Sequence, residues 1–161
     1  MRNKRVTFIT QAAMIAAIYV VLTVFISAFN LASGAIQVRL SEALTILPAF
    51  TPAAIPGLFL GCLISNTVTG ALPLDVLFGS LATLLGACGS YLLRRFKWAV
   101  PIPPIIANAL IVPFVLAYVY HIPGGVPYFM LTVGIGEVLS CGVLGMLLYQ
   151  VLVRYKHVIF K

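Results

Sequence analysis

Six apolar runs, separated by short clusters of glycine, proline, asparagine and basic residues, divide this chain. They predict helices over about residues 6–28, 39–50, 53–69, 74–93, 101–120 and 128–153. The breaks fall at Asn30-Leu-Ala-Ser-Gly34, Thr51-Pro52, Ala71-Leu-Pro73, Arg94-Arg-Phe-Lys97 and His121-Ile-Pro-Gly-Gly-Val-Pro127, all rich in residues that stop helices or favour turns. The second run is short: a dozen residues of α-helix reach about 18 Å, against a hydrocarbon core of about 30 Å. Either the loop before it dips inward, or it forms half of a re-entrant pair with 53–69.

Composition turns this pattern into a class. Of 161 residues, 62% are hydrophobic and 8% charged, a balance foreign to soluble domains. The chain reads as an all-α integral membrane protein, a bundle of six transmembrane helices within a single membrane domain over 1–161. The first run is too long for the apolar core of a signal peptide and is expected to be a retained helix.

The net charge of +7 has a topological origin. Nine of the ten basic residues stand in three groups, Arg2/Lys4/Arg5, Arg94/Arg95/Lys97 and Arg154/Lys156/Lys161. Six segments place all three on one side, so the N- and C-termini are expected in the cytoplasm, and no nucleic-acid partner is called for. Merging 39–69 into one helix would split the groups across the membrane.

The tenth basic residue, Arg39, and the only acids, Glu42, Asp75 and Glu137, fall toward the outer half of this topology. Ionisable side chains at membrane depth are costly and default to functional roles. Arg39 and Glu42 at i, i+3 share a helix face and are either an ion pair that lowers the cost of burial or part of a ligand site. Asp75, two residues after Pro73, suits the positive end of a helix. Glu137, about 15 Å into its helix, must face a polar cavity, meet Arg39 or carry a proton. One arginine against three carboxylates suits a small cationic solute or one rich in N–H donors. Asn30, Gln37, Asn66 and Asn108 add amide contacts, and Tyr19, Tyr118, Tyr120, Tyr128 and Phe129 add flat surfaces.

Other chemistry finds no support. There is no GxxxxGK[ST] loop, His121 and His157 lack metal-ligand spacing, and Gly134-Ile-Gly136 lies in an apolar helix rather than after a strand. Cys62, Cys88 and Cys141 stand alone, so no disulfide framework and no metal site is expected. No cofactor and no enzyme activity are predicted. In the first helix Ala12/Ala16 and Ala13/Ala17 repeat at four-residue spacing, a pattern that lets helices approach closely, inside this chain or on a second subunit. A stand-alone proton-coupled transporter for a small cationic or nucleobase-like solute also fits, with Glu137 titrating, as does a scaffold whose charge pair only stabilises packing.

The stretch Gly34-Ala-Ile-Gln-Val-Arg-Leu-Ser-Glu-Ala-Leu-Thr-Ile-Leu-Pro48, with Phe50-Thr-Pro-Ala-Ala-Ile-Pro-Gly57, Gly61-Cys-Leu-Ile-Ser-Asn66, Asp75-Val-Leu-Phe-Gly-Ser-Leu-Ala-Thr83, Asn108-Ala-Leu-Ile-Val112 and Gly136-Glu137, resembles the QueT family. These are substrate-binding S-components of energy-coupling-factor (ECF) transporters, multi-pass proteins of prokaryotic plasma membranes associated with queuosine precursors. The resemblance implies a solute pocket near the outer surface, a transmembrane coupling subunit (EcfT-like) and two cytosolic ATPase subunits. It implies that Ala12, Ala13, Ala16 and Ala17 dock on the coupling subunit. The implied ligand is a 7-deazaguanine such as preQ1, or queuine or queuosine, with its N–H edge and any aminomethyl group shared between Glu42 and Glu137. Arg39, Gln37, Asn66, Asp75, Asn108 and Asn30 are the supporting candidates.

Overall fold

In the computed structural model residues 3–28 and 39–159 are described, with side chains as far as Tyr155. The regular elements among the described residues are all helices, with no strand among them. The helices are α1 (Lys4–Ala28), a 3-10 segment (Leu40–Ala49), α2 (Ala54–Val68), α3 (Pro73–Leu92), a short 3-10 turn (Lys97–Ala99), α4 (Ile102–Tyr118), α5 (Val126–Glu137), a π turn (Val138–Leu144) and α6 (Gly145–Ile159). Four stretches, Lys4–Ala28, Pro73–Leu92, Lys97–Tyr118 and Val126–Tyr155, are long and apolar enough to cross a membrane; Leu40–Ala49 and Ala54–Val68 are shorter.

The short second run is the centre of the molecule. Every residue from Ser41 to Pro48 is buried, and the segment packs against α1, α2, α3, α6 and the π turn. Its winding follows from its residues. Pro48 has no N–H to give the Leu44 carbonyl, and the Thr45 hydroxyl donates to the Glu42 carbonyl at 2.6 Å, both of which disturb an α ladder. A 3-10 helix rises about 2.0 Å per residue, so ten residues reach about 20 Å instead of 15 Å. Around it gather Ile15 and Tyr19 of α1, Ala54, Leu58 and Cys62 of α2, and Ala87 of α3.

Sequence neighbours pack side by side, α1 on α2, α2 on α3, α3 on α4 and α4 on α5. The contacts use small residues. A Cβ on Gly57 would lie 2.7 Å from the Ala12 carbonyl oxygen, and one on Gly61 would lie 2.8 Å from Tyr19 Cβ and 3.1 Å from the Ala16 carbonyl oxygen. The Ala12/Ala16 face of α1 is therefore taken up inside the chain, and only Ala13 and Ala17 remain on its exposed face. That outer face, with Ile9, Met14, Ile18, Val21 and Phe25, is apolar. Between α3 and α4 the same device recurs, with Gly86 against Pro104 and Gly89 against Pro103.

Candidate functional site

A cavity of about 460 Å³ opens between the C-terminal ends of α1, α2 and α4 and the N-terminal ends of α3 and the 3-10 segment. Its polar lining is Thr23, Ser27, Arg39, Ser41, Asn66, Thr69, Asp75 and Tyr120, and its apolar lining includes Ile26, Val112, Leu116 and Ile122. A volume of this order holds a small heterocycle. The helices approach it with one polarity: α1 begins at Lys4 and Arg5 and ends at the cavity, and α3 begins at the cavity with Asp75 and ends before Arg94 and Arg95. The cavity lies at the opposite end of these helices from their basic groups.

Asp75 is buried at the cavity edge and accepts a hydrogen bond from the Tyr120 hydroxyl at 2.8 Å. The same Tyr120 oxygen accepts the Leu72 N–H at 3.3 Å, so one phenol joins the turn before α3 to the end of α4. Burial, then the bond to Asp75, raise the Tyr120 hydroxyl above its ordinary value and keep it a donor. Asp75 stands in the first turn of α3, at the positive end of the helix as expected, and there it accepts the Tyr120 hydroxyl. Asn66 approaches Asp75 across Gly79, where an added Cβ would meet Asn66 Nδ2 at 3.1 Å and Asp75 Oδ1 at 3.6 Å.

The two glutamates do not line this cavity; they lie in the layer beneath it. Ser41 precedes Glu42, Thr23 stands one turn beyond Tyr19, and Val112 one turn beyond Asn108, a step of about 6 Å along a helix. A 2.8 Å hydrogen bond between the Thr23 and Ser41 hydroxyls forms part of the floor. Below it the Tyr19 hydroxyl donates to Glu42 Oε1. Cys141 Sγ lies 3.1 Å from Glu137 Oε2 and 3.4 Å from the Glu42 carbonyl oxygen, two acceptors for its one proton, and Thr45 Oγ1 is 3.3 Å from the same sulfur. Glu42, Glu137 and Cys141 each put one ligand atom within 4.8 Å of the others, a set with the donors to hold a cation, although the thiol is used here as a hydrogen-bond donor. Asn108, 3% exposed, lies beside both carboxylates and acts on each of them, although its Nδ2 stops short of hydrogen-bond geometry.

Several sequence expectations are revised by this arrangement. Arg39 precedes the 3-10 segment in extended conformation (φ −100, ψ 101), so it does not share a helix face with Glu42. Among the described residues no ion pair joins them: Glu42 Oε1 is held by Tyr19 and Oε2 is unpaired, while Arg39 stands in the cavity wall. Glu137 meets a second acid and a thiol rather than Arg39. Of the candidate flat surfaces Tyr120 reaches the cavity, Tyr118 and Tyr128 face outward, and Phe129 is packed in the core beside Val112, Leu116 and Val133. Asn30 and Gln37 lie outside the described residues. Cys141 was legible only as a lone cysteine, and Tyr19 only as an aromatic; their spacing from Glu42 in the chain, 99 and 23 residues, carries no local signal.

A family model described as QueT transporter matches residues 9–154. The chain is also similar to the "Queuosine precursor transporter QueT" of Lactococcus lactis subsp. cremoris (strain MG1363), at 35% identity over 98 residues, which span 60% of this chain and 57% of that protein. No solved structure matches the chain.

Proposed function

The chain belongs to the QueT transporter family, and on that premise we propose that it is the substrate-binding S-component of an ECF-type importer for a queuosine precursor. The observation that carries this reading is the cavity: a polar chamber rimmed by Arg39, Asn66, Asp75 and Tyr120, at the end of the bundle remote from the basic groups, above two buried glutamates. Basic residues favour the cytoplasmic side, so the chamber opens outward and both termini lie inside. The six helical segments form one membrane domain over 1–161 in the plasma membrane of a prokaryote, with the central 3-10 segment and α2 as its short members.

The cargo is a deazapurine of the 7-deazaguanine type, with Glu42 and Glu137 as acceptors for its N–H groups and Asp75 compensating a cationic substituent. Energy comes from elsewhere, since the chain carries no phosphate-binding loop. A transmembrane coupling subunit seats against the exposed Ala13/Ala17 face of α1, and two cytosolic ATPases drive it. The decisive experiment is purification from cells grown with precursors, followed by mass-spectrometric identification of the bound molecule. A deazaguanine is expected, and failure of the whole purine and deazapurine panel to bind or stabilise the protein would overturn the reading.

The paired burial of Glu42 and Glu137 favours one alternative, a proton-coupled transporter that works alone. Uptake by the single chain in liposomes without ATPase subunits would select it.

A further inference from the structure

The chain has three side-chain carboxylates, and Glu42, Asp75 and Glu137 are all buried. None is left to answer basic residues at the surface. Arg94, Arg95 and Lys97 stand together in the turn between α3 and α4, about 30 Å along α3 from Asp75. Every residue of that turn from Arg94 to Trp98 is exposed. Its backbone is fixed all the same: the Phe96 N–H donates to the Leu93 carbonyl at 2.9 Å, the Ala99 N–H to the Phe96 carbonyl at 2.8 Å, and the Ser90 hydroxyl to the Val100 carbonyl at 2.7 Å. The Arg94 guanidinium lies over the Tyr91 ring at 4.1 Å and the Lys97 ammonium over the Trp98 ring at 5.2 Å. Such contacts steady a cation without using its N–H donors.

Two apolar stripes lead into this turn. Leu81, Leu85 and Leu92 are exposed along one face of α3, at spacings of four and seven residues, and Ile102, Ile106 and Leu110 along one face of α4. In a membrane-spanning hairpin such outward faces meet acyl chains. The turn that joins them lies where chains give way to headgroups, and Phe96 and Trp98, 68% and 67% exposed, suit that boundary, because aromatic rings settle at headgroup level. A soluble partner would offer counter-charge without this continuity of apolar surface. We infer that the Arg94–Trp98 turn is a binding site for anionic phospholipid headgroups in the leaflet remote from the cavity. Arg94, Arg95 and Lys97 donate to the lipid phosphates, while Phe96 and Trp98 lie among the first acyl carbons. A zwitterionic lipid brings its own ammonium group toward the same cations and is the weaker occupant. The inference concerns the membrane contact alone and is independent of the cargo.

Trp98 is the single tryptophan of the chain, so its fluorescence reports on this turn alone. The full chain is placed in nanodiscs of equal parts phosphatidylglycerol and phosphatidylcholine, with bromine on the acyl chains of one lipid at a time, and quenching is read. Brominated phosphatidylglycerol is expected to quench more strongly, corresponding to about fivefold higher occupancy beside Trp98. In the variant Arg94→Gln/Arg95→Gln/Lys97→Gln both lipids should still quench, but equally. Should that variant fail to fold, raised salt on the wild type gives the same test, since screening should narrow the difference. Equal quenching by the two lipids in the wild type, a preference unchanged in the glutamine variant, or one indifferent to salt would overturn the inference. Absence of quenching by either lipid would also overturn it, and would show that the turn faces water or another protein.

Discussion

The Tyr19 hydroxyl donates to Glu42 Oε1, tying α1 to the central 3-10 segment inside the bundle. Both residues are 1% exposed, so no solvent can replace the bond. Tyr19→Phe keeps the ring and leaves Glu42 with neither oxygen bonded. The expected loss is about 1.5–3 kcal/mol of stability, read as a lower thermal midpoint in detergent. An unchanged midpoint would mean that the hydroxyl contributes nothing to holding Glu42.

The α1–α2 contact depends on two glycines. A Cβ at Gly61 meets Tyr19 Cβ at 2.8 Å, and one at Gly57 meets a backbone oxygen at 2.7 Å. Gly57→Ala meets a backbone carbonyl that cannot turn aside, and about 1–3 kcal/mol is expected from such overpacking. Gly70→Ala meets no atom, but at φ +79 it strains the turn after α2, so a smaller loss of about 1 kcal/mol is expected. The ranking of thermal midpoints of the two variants checks both arguments.

Ala13 and Ala16, three residues apart, should answer differently to tryptophan. Ala13 is exposed and Ala16 is buried against α2. Ala13→Trp should leave folding and ligand binding intact and abolish ATP-driven uptake when the coupling and ATPase subunits are present. Ala16→Trp should fail at folding. Normal uptake by Ala13→Trp would remove this face of α1 as the docking surface.

At the cavity rim, Asp75→Asn should weaken binding of a cationic deazapurine about tenfold, the worth of a hydrogen bond to a charged group. Tyr120→Phe should have a smaller effect on binding and a distinct effect on pH dependence. The raised Tyr120 hydroxyl means that the folded state favours the protonated phenol, so its contribution is complete below about pH 10 and is lost as pH climbs through the folded value. Stability curves of wild type and Tyr120→Phe should therefore converge at alkaline pH. A gap that persists there would show that the difference does not come from the protonated hydroxyl.

Hydropathy located the helices because membrane burial demands long apolar runs, and their bounds moved by few residues: 74–93 became Pro73–Leu92, and 128–153 became Val126–Tyr155 within one continuous helical run. What hydropathy does not encode is winding. The same apolar residues fit α, 3-10 or π geometry, so the spacing of Arg39 and Glu42 suggested a shared face that the extended backbone at Arg39 removes. The meeting of Glu42 with Glu137, 95 positions later, and with Cys141 depends on how three elements pack, for which a single sequence gives no count. The charged residues themselves were legible, because each is conspicuous in an apolar chain; the neutral partners Tyr19 and Cys141 were not.

The π turn at Val138–Leu144 sits between Glu137 and the rest of its helix. A π turn holds about one residue more than an α turn, and one residue is about 100° of rotation. The extra residue thus acts as a fixed angular offset between the two halves of a single span. Deleting one residue there would leave the hydropathy of the span nearly untouched, yet would swing the α5 half through more than a quarter turn and carry Glu137 away from Glu42. Membrane insertion and the meeting of Glu137 with Glu42 are in this sense written in separate codes on the same helix, one in composition and the other in phase.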